Sequence, residues 1–219
     1  MEITYTIIRM TIPKVIVQTS RTKPETYIID MIKEHSLGWE YQHYDDNEII
    51  TFFTDNPVAE FPNVIQKFFS FNYGEHRADL FRYYYLYVKG GVYFDTDAMI
   101  ECNIDEIVKD YQYFSVDSTY FPNSIFQGFI GSIPKHPIMY KGLKDIYETD
   151  NKQLISAPEN FHDICRNMYT FVSEYPDKSR IKLFKEVFST LEIAAIIDEQ
   201  DGNKLVLNHY HIKKIIPKR

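Results

Sequence analysis

The sequence is poor in cysteine, in long apolar runs and in basic charge. Its two cysteines, Cys102 and Cys165, lie far apart without metal-binding spacing, so a zinc module or a disulfide-rich scaffold is not expected. A reducing compartment is favoured, with a single disulfide as the alternative. No apolar run approaches the roughly 20 residues that span a bilayer, and residues 1–10 are too short an apolar stretch for a signal peptide. We therefore expect a soluble, cytoplasmic chain without a membrane span.

The charge and the aromatic content narrow the kinds of partner. With 24 Lys and Arg against 31 Asp and Glu, the net charge is −7, and no long basic stripe is present, which argues against nucleic-acid binding. The 18 Tyr and 16 Phe residues suit a surface that binds flat or polyhydroxylated ligands. A compositional bias of the source genome explains them more simply, and we favour that explanation.

The length and the alternation of elements predict one α/β domain. A chain of 219 residues most simply forms a single domain over residues 1–219, with residues 1–11 as an N-terminal extension. Its abrupt basic end suggests the first domain of a longer protein. Strands alternate with helices, which favours a sheet flanked by helices over a bundle. We predict strands at 14–19, 39–44, 92–94, 113–116, 126–130, 193–197 and 204–207, and helices from Pro24, after 45–47, and at 75–89, 135–147, 158–172 and 179–190.

The helix over 75–89 leads directly to an acidic pair. It carries an apolar stripe and ends at Gly90-Gly91, since glycine adopts the left-handed conformation that ends helices. A short β-prone segment then runs into Asp95-Thr96-Asp97. Ligands of α/β sheets bind at the carboxyl ends of strands, and paired carboxylates suit Mg²⁺ or Mn²⁺. An Asp-x-Asp alone is weak evidence, because a solvated turn has the same pattern.

Asp79 and Arg82 are three residues apart and share a face of this helix. They form either an exposed ion pair of little energetic value or a partly buried pair that contacts sugar hydroxyls or a phosphate. In the second case, alanine substitutions should weaken use of that ligand and leave the melting temperature almost unchanged.

The central block resembles a known enzyme family. Asp79, Arg82 and Tyr83, followed by Gly90-Gly91-Val92-Tyr93-Phe94-Asp95-Thr96-Asp97, match the pattern D-x-x-R-Y…G-G-x-Y-x-D-x-D at every motif position. This pattern is typical of DXD glycosyltransferases, in particular of the family of yeast initiating mannosyltransferases and bacterial capsular sugar transferases, distantly related to the clostridial glucosylating toxins. Segments 12–19, 39–46, 127–137 and 156–158 resemble further family motifs, with Val17 in place of a histidine and Gln127 in place of an asparagine.

The resemblance implies a GT-A fold, a Rossmann-like mixed sheet flanked by helices that binds a nucleotide sugar and a divalent cation. By resemblance, Val17, Gln18 and Thr19 line the donor pocket and Asp79 and Arg82 contact the donor sugar. The resemblance also places Asp95 against the ribose and the metal, makes Asp97 a direct metal ligand, and assigns catalytic roles to Asp97, Arg82 and Gln127.

The family often completes the metal shell near its C-terminus with a histidine that precedes a Ser-Trp pair. Here His209 and His211 are present without that pair, and we choose His209 over His211 as the ligand. The other histidines show no metal spacing and are interpreted as structural.

The leading functional hypothesis is a Mn²⁺- or Mg²⁺-dependent retaining transferase. It moves a hexose or 6-deoxyhexose from a UDP-sugar to a glycan or glycoprotein acceptor. The alternative is a degenerate module that binds a nucleotide sugar or polysaccharide without turnover. A phosphatase or kinase that uses the acidic pair is the least favoured, because no phosphate-cradling glycine-rich loop is present.

Overall fold

The computed structural model describes residues 10–190 and 192–210, and these form one mixed sheet with helices on both faces. The predicted α/β class, with a mixed sheet flanked by helices, is confirmed. The strands are β1 Val15–Thr19, β2 Glu40–Tyr44, β3 Gly91–Phe94, β4 Ala98–Ile100, β5 Tyr113–Asp117, β6 Ile125–Ser132, β7 Ile181–Phe188, β8 Ile193–Asp198 and β9 Lys204–Tyr210. The α-helices are α1 Thr26–Glu34, α2 Asp46–Asp55, α3 Val64–Ser70, α4 Gly74–Lys89, α5 Ile104–Val108, α6 Pro137–Glu148, α7 Asn151–Leu154 and α8 Asp163–Ser173. Two short 3₁₀ helices span Pro158–His162 and Glu199–Asp201.

The strand order among the described residues is β2-β1-β3-β6-β5-β7-β8-β9-β4. Strands β2, β1 and β3 are parallel, and β6 runs antiparallel to β3. One face of the sheet packs on a core with α2, α3, α4, α6, α7 and α8, and the other packs on a core with α1 and α5. Central strands are therefore covered on both sides, which explains why Ile16, Val17 and Gln18 all have no exposed surface.

Helix α4 is buried on every side, beyond the single apolar stripe that the sequence predicts. All residues from Asp79 to Tyr87 are buried, because the helix lies between the sheet and its neighbours α3 and α6. Its glycine end is as predicted. Gly91 has φ +110°, and a Cβ there would lie 2.7 Å from the carbonyl oxygen of Val15, so close packing of β3 on β1 requires glycine.

The helix predicted over 179–190 is wrong, because this segment is strand β7. Its apolar residues have spacings that also fit a helix, whereas the structure buries Lys182, Phe184 and Glu186 on one face of the strand. Two of these three are charged. Lys182 pairs with Asp198, and Glu186 accepts hydrogen bonds from a neighbouring loop, so burial of these charges depends on partners distant in sequence.

Candidate active site

The sheet brings the ends of several strands to one edge. Strands β1 and β3 are parallel, so Thr19, the last residue of β1, and Asp95, directly after β3, lie at the same end of the sheet. The backbone N–H of Asp95 donates to the carbonyl of Gly128 on β6 at 3.0 Å. On the far side, Ala98 of β4 pairs with His209 of β9. Residues from four separate strands therefore surround the Asp95–Asp97 loop.

Arg82 lies at the centre of this edge with its side chain 5% exposed. Its guanidinium approaches Asp79 at 3.5 Å and Asp95 at 3.4 Å, and donates a hydrogen bond to the carbonyl of Gln127 at 2.5 Å. Its carbon Cζ lies 4.3 Å from the centre of the Tyr93 ring, a cation–π distance. Arginine suits this position because its planar fork serves several acceptors at fixed angles.

Of the two interpretations of the Asp79–Arg82 pair, an exposed ion pair or a partly buried one, the structure shows the buried pair. Burial raises the pKa of Asp79, and the charge of Arg82 opposes that rise. Although burial alone would lower the pKa of Arg82, the neighbouring Tyr93, Asp95 and Asp79 together hold it above its ordinary value. A buried pair of this kind is costly to break. The expectation that alanine substitutions leave the melting temperature unchanged is therefore revised: the structure predicts a loss of stability as well.

Asp95 is held in place by its own neighbours. Its oxygen Oδ1 accepts a hydrogen bond from the Tyr93 hydroxyl at 3.1 Å, besides the contact with Arg82. A Cβ at Gly128 would lie 2.6 Å from the second oxygen, Oδ2. Gly128 therefore leaves the space that this carboxylate occupies.

Asp97 and His209 face each other at the opposite side of the loop. His209 Nε2 lies 3.6 Å from Asp97 Oδ1, and the backbone N–H of Tyr210 donates to the Asp97 carbonyl at 2.9 Å. The Phe126 ring packs on the imidazole, with centroids 4.6 Å apart. Burial alone would lower the pKa of His209, but the hydrogen bond and charge of Asp97 raise it. His211, the alternative ligand, lies outside the described residues.

The carboxamide of Gln127 is buried, and the residue lines the cavity at this edge of the sheet. The residue is 7% exposed, and neither its Oε1 nor its Nε2 has a hydrogen-bond partner among the described residues, apart from the Cys165 thiol beside it. Burial raises the pKa of Cys165 to about 12, so this group is a neutral thiol at physiological pH. A buried amide normally makes more hydrogen bonds than this one contact with a thiol, so the carboxamide has capacity left for a ligand.

The three residues predicted from β1 have different positions. Val17 is fully buried in the core and does not line the cavity. Gln18 is also fully buried: its amide donates to the Asp95 carbonyl at 3.1 Å and accepts from the Tyr41 hydroxyl at 2.8 Å. Only Thr19 of the three lines the cavity. Gln18 thus orients the acidic loop from behind.

The acidic loop and the residues around it line one cavity of about 980 Å³. Its walls include Asp79, Arg82, Asp95, Asp97, Gln127 and His209, and also groups that the sequence did not point to: Tyr93, Tyr120, Phe121, His162, Cys165 and Glu186. Tyr93 is one of the residues of the G-G-x-Y-x-D-x-D motif, so the motif could have indicated its role. Glu186 carried no such signal, because its segment was interpreted as a helix.

The family comparison agrees with this geometry. Residues 22–114 match the model described as the glycosyltransferase sugar-binding region containing the DXD motif, and this range includes Asp79, Arg82, Asp95 and Asp97. These residues therefore resemble the DXD region of glycosyltransferases, and the resemblance noted from the motifs is confirmed.

Two yeast proteins resemble the chain more fully. Both are mannosyl phosphorylinositol ceramide synthases of Saccharomyces cerevisiae. One is 31% identical over 139 residues, which is 62% of this chain and 35% of the yeast protein. The other is 30% identical over 143 residues, 64% of this chain and 36% of the relative. The chain thus spans about a third of the length of the curated relatives it matches.

Among solved structures, the PaToxG glycosyltransferase aligns with 71% of this chain and 69% of its own, at 16% identity and a TM-score of 0.48. Within the described residues, no helix combines the length and the apolar character needed to cross a membrane.

Proposed function

We propose that the protein is a metal-dependent retaining glycosyltransferase that moves a hexose or 6-deoxyhexose from a UDP-sugar to a glycan or glycoprotein acceptor. The observation that carries this proposal is the meeting of Asp79, Arg82, Asp95 and Asp97 in one cavity at the carboxyl end of β3. A buried arginine beside a partly exposed acidic loop suits a donor whose sugar bears hydroxyls and whose phosphates bear negative charge.

The residues at the loop fit a divalent cation that shares its shell with the donor. Asp97 and His209 would hold it, and Asp95 would reach it only through Oδ2, because its Oδ1 bonds Arg82 and Tyr93. Within residues 10–190 and 192–210, no three His, Cys, Asp or Glu side chains form a metal cluster, so phosphate or water would supply the other ligands. A carboxylate with an imidazole favours Mn²⁺ over Mg²⁺. When bound, the cation would neutralise charge on the departing diphosphate.

The proposed reaction retains the configuration at the anomeric carbon. The acceptor oxygen forms a bond to that carbon while the bond to the diphosphate breaks on the same face, and the hydroxyl proton leaves with the diphosphate. The carboxamide of Gln127, which lines the cavity, would stabilise positive charge at the sugar through its carbonyl oxygen. Its backbone carbonyl is fixed by Arg82, which orients the residue.

The first experiment is donor hydrolysis by the purified chain with Mn²⁺, using a panel of UDP-hexoses. GDP-mannose belongs in the panel because the yeast relatives are named for mannosyl transfer. Asp97→Asn keeps the shape and removes the charge, so hydrolysis should fall by about two orders of magnitude or more with the fold intact. Asp30→Asn, at an exposed position of α1, is the matched control and should match the parent.

Two outcomes would change the proposal. Activity that survives both EDTA and Asp97→Asn would show that the metal assignment is wrong. Nucleotide-sugar binding without any turnover, measured by calorimetry over the whole panel, would favour the degenerate binding module. For an active enzyme, NMR of the transferred sugar decides the stereochemistry, and an inverted product would overturn the retaining mechanism.

A further inference from the structure

A buried carboxylate on β7 lines the same cavity as the donor residues. Glu186 is 2% exposed and lines the cavity wall. Its oxygen Oε2 accepts a hydrogen bond from the Ser118 hydroxyl at 2.6 Å and another from the Thr119 backbone N–H at 3.1 Å. The Thr119 hydroxyl also bonds the Glu186 carbonyl. These three bonds fix the orientation of the carboxylate before any ligand arrives.

The second oxygen of Glu186 is left for the cavity. Among the described residues, the hydrogen bonds to this carboxylate both end on Oε2, and its charge raises the pKa of His209 without a direct ion pair. A charge this deeply buried normally has a cation or several donors around it. The carboxylate is thus half satisfied, and its free acceptor points to a ligand with hydrogen-bond donors.

Glu186 lies several strands away from the acidic loop and nearer to His209. Along the sheet, β7 is three strand spacings from β3, about 14 Å at the usual strand separation, and two spacings from β9, which carries His209. A cavity of about 980 Å³ is at the upper end of the usual range for small-molecule sites, about 300–1,000 Å³. A donor seated on Arg82 and Asp97 therefore leaves room for a second molecule at the Glu186 end.

Aromatic rings line that same end. Tyr120 and Phe121 belong to the loop that holds Glu186 and line the cavity. Phe121 is covered on one side by the His162 ring at 4.0 Å and keeps 45% of its surface exposed. An exposed aromatic face carries a negative quadrupole, which attracts the polarised C–H groups of a sugar or cyclitol ring.

We propose that the Glu186 end of the cavity is the acceptor subsite and binds a polyhydroxylated ring. Glu186 Oε1 accepts a hydrogen bond from one ring hydroxyl, and the face of Phe121 packs against the C–H side of the ring. The inference rests on the proposed function, since it assigns the second substrate of that reaction to these residues.

Glu186→Gln tests the inference with little change in shape. Ser118 and Thr119 both donate to one oxygen, so the amide oxygen remains there and the NH₂ group faces the cavity. The acceptor that the ring hydroxyl needs is then replaced by a donor. Glu186→Asp keeps the charge and withdraws it by one methylene. Phe121→Ala tests the aromatic face at a half-exposed position that does not endanger folding, and Phe69→Ala, also exposed but outside the cavity wall, is its control.

The measurement is binding of methyl α-mannoside, methyl α-glucoside and myo-inositol by saturation-transfer NMR, with UDP and Mn²⁺ present. We expect Glu186→Gln to weaken the best of these probes about tenfold, as for loss of a hydrogen bond to a charged group. Glu186→Asp should retain part of the affinity, and Phe121→Ala should lose several-fold. The affinity for UDP, measured separately by calorimetry, should stay within about twofold of the parent.

The outcomes separate this inference from the proposed function. Probe binding within twofold of the parent in both Glu186→Gln and Phe121→Ala overturns the subsite, even if donor hydrolysis is normal. Failure of the parent to bind any probe overturns it as well. If the parent protein binds the probes through Glu186 but never turns over a donor, the subsite stands and the proposed transferase activity is refuted.

Discussion

Replacing Arg82 with methionine should destabilise the fold by about 3 to 5 kcal/mol at pH 7. Methionine has a similar length and fills the space, but it leaves the carboxylates of Asp79 and Asp95 beside each other without their cation. Removing one partner of a buried pair costs about 3–5 kcal/mol. The Asp95 side chain is 29% exposed, which favours the lower end of that range. In a chain of this size, such a loss lowers the melting temperature by roughly 6 to 20 °C.

Urea denaturation followed by circular dichroism measures this loss, with Arg21→Met as control because Arg21 is an exposed arginine at the same cavity. Adding Asp79→Asn should recover part of the stability, since it removes one of the two uncompensated charges. The loss should also shrink as the pH falls. Burial already raises the pKa of Asp79, and without Arg82 that pKa rises further, so the group becomes neutral earlier. If the free energy of unfolding of Arg82→Met lies within about 0.5 kcal/mol of the parent value at pH 7, the reasoning is refuted.

Two further predictions concern the packing of the site and of helix α6. Gly128→Ala should lower the free energy of unfolding by about 1–3 kcal/mol and reduce donor affinity, because its Cβ would lie 2.3 Å from the Phe126 ring and 2.6 Å from Asp95 Oδ2. Urea unfolding curves measure the stability and calorimetry measures the donor affinity. Normal donor affinity would contradict the role given to Asp95. Burial lowers the pKa of His136 to about 4, where its Nδ1 accepts the Ile138 N–H. Stability from this group is full above pH 6.5 and declines by up to about 3 kcal/mol toward pH 4, because the unfolded state binds the proton first. His136→Asn keeps the helix cap, so its unfolding free energy should lose less over this range, and an unchanged pH profile would contradict the assignment.

The parts of the site that the sequence predicts are those built from neighbours in the chain. Asp79 and Arg82 belong to one helix, and Asp95 and Asp97 to the loop after the next strand, so their proximity follows from local structure. Val17 shows the limit of such reasoning. On a strand covered on both faces, successive side chains are all buried, and alternation does not tell which of them reaches a ligand.

Glu186 could not be predicted in the same way. A glutamate in a segment with helical spacing is normally interpreted as exposed, and its burial here depends on Ser118 and Thr119, 68 and 67 residues earlier in the chain. The short strand β4 was missed for a similar reason. Three residues carry too little pattern, and β4 exists because β9 pairs with it.

The pairing of β4 with β9 also has a consequence for the order in which the site assembles during folding. The ribosome delivers Asp97 long before His209, and the two meet only when the last described strand docks against β4. Contacts of such wide sequence separation close late, because the entropy of a long loop must be overcome first. A nascent chain therefore holds its acidic loop half assembled, and in refolding the recovery of the Asp97–His209 contact should lag behind the recovery of secondary structure in β1–β3 and α4. Binding of the proposed cation would therefore follow the completion of the sheet.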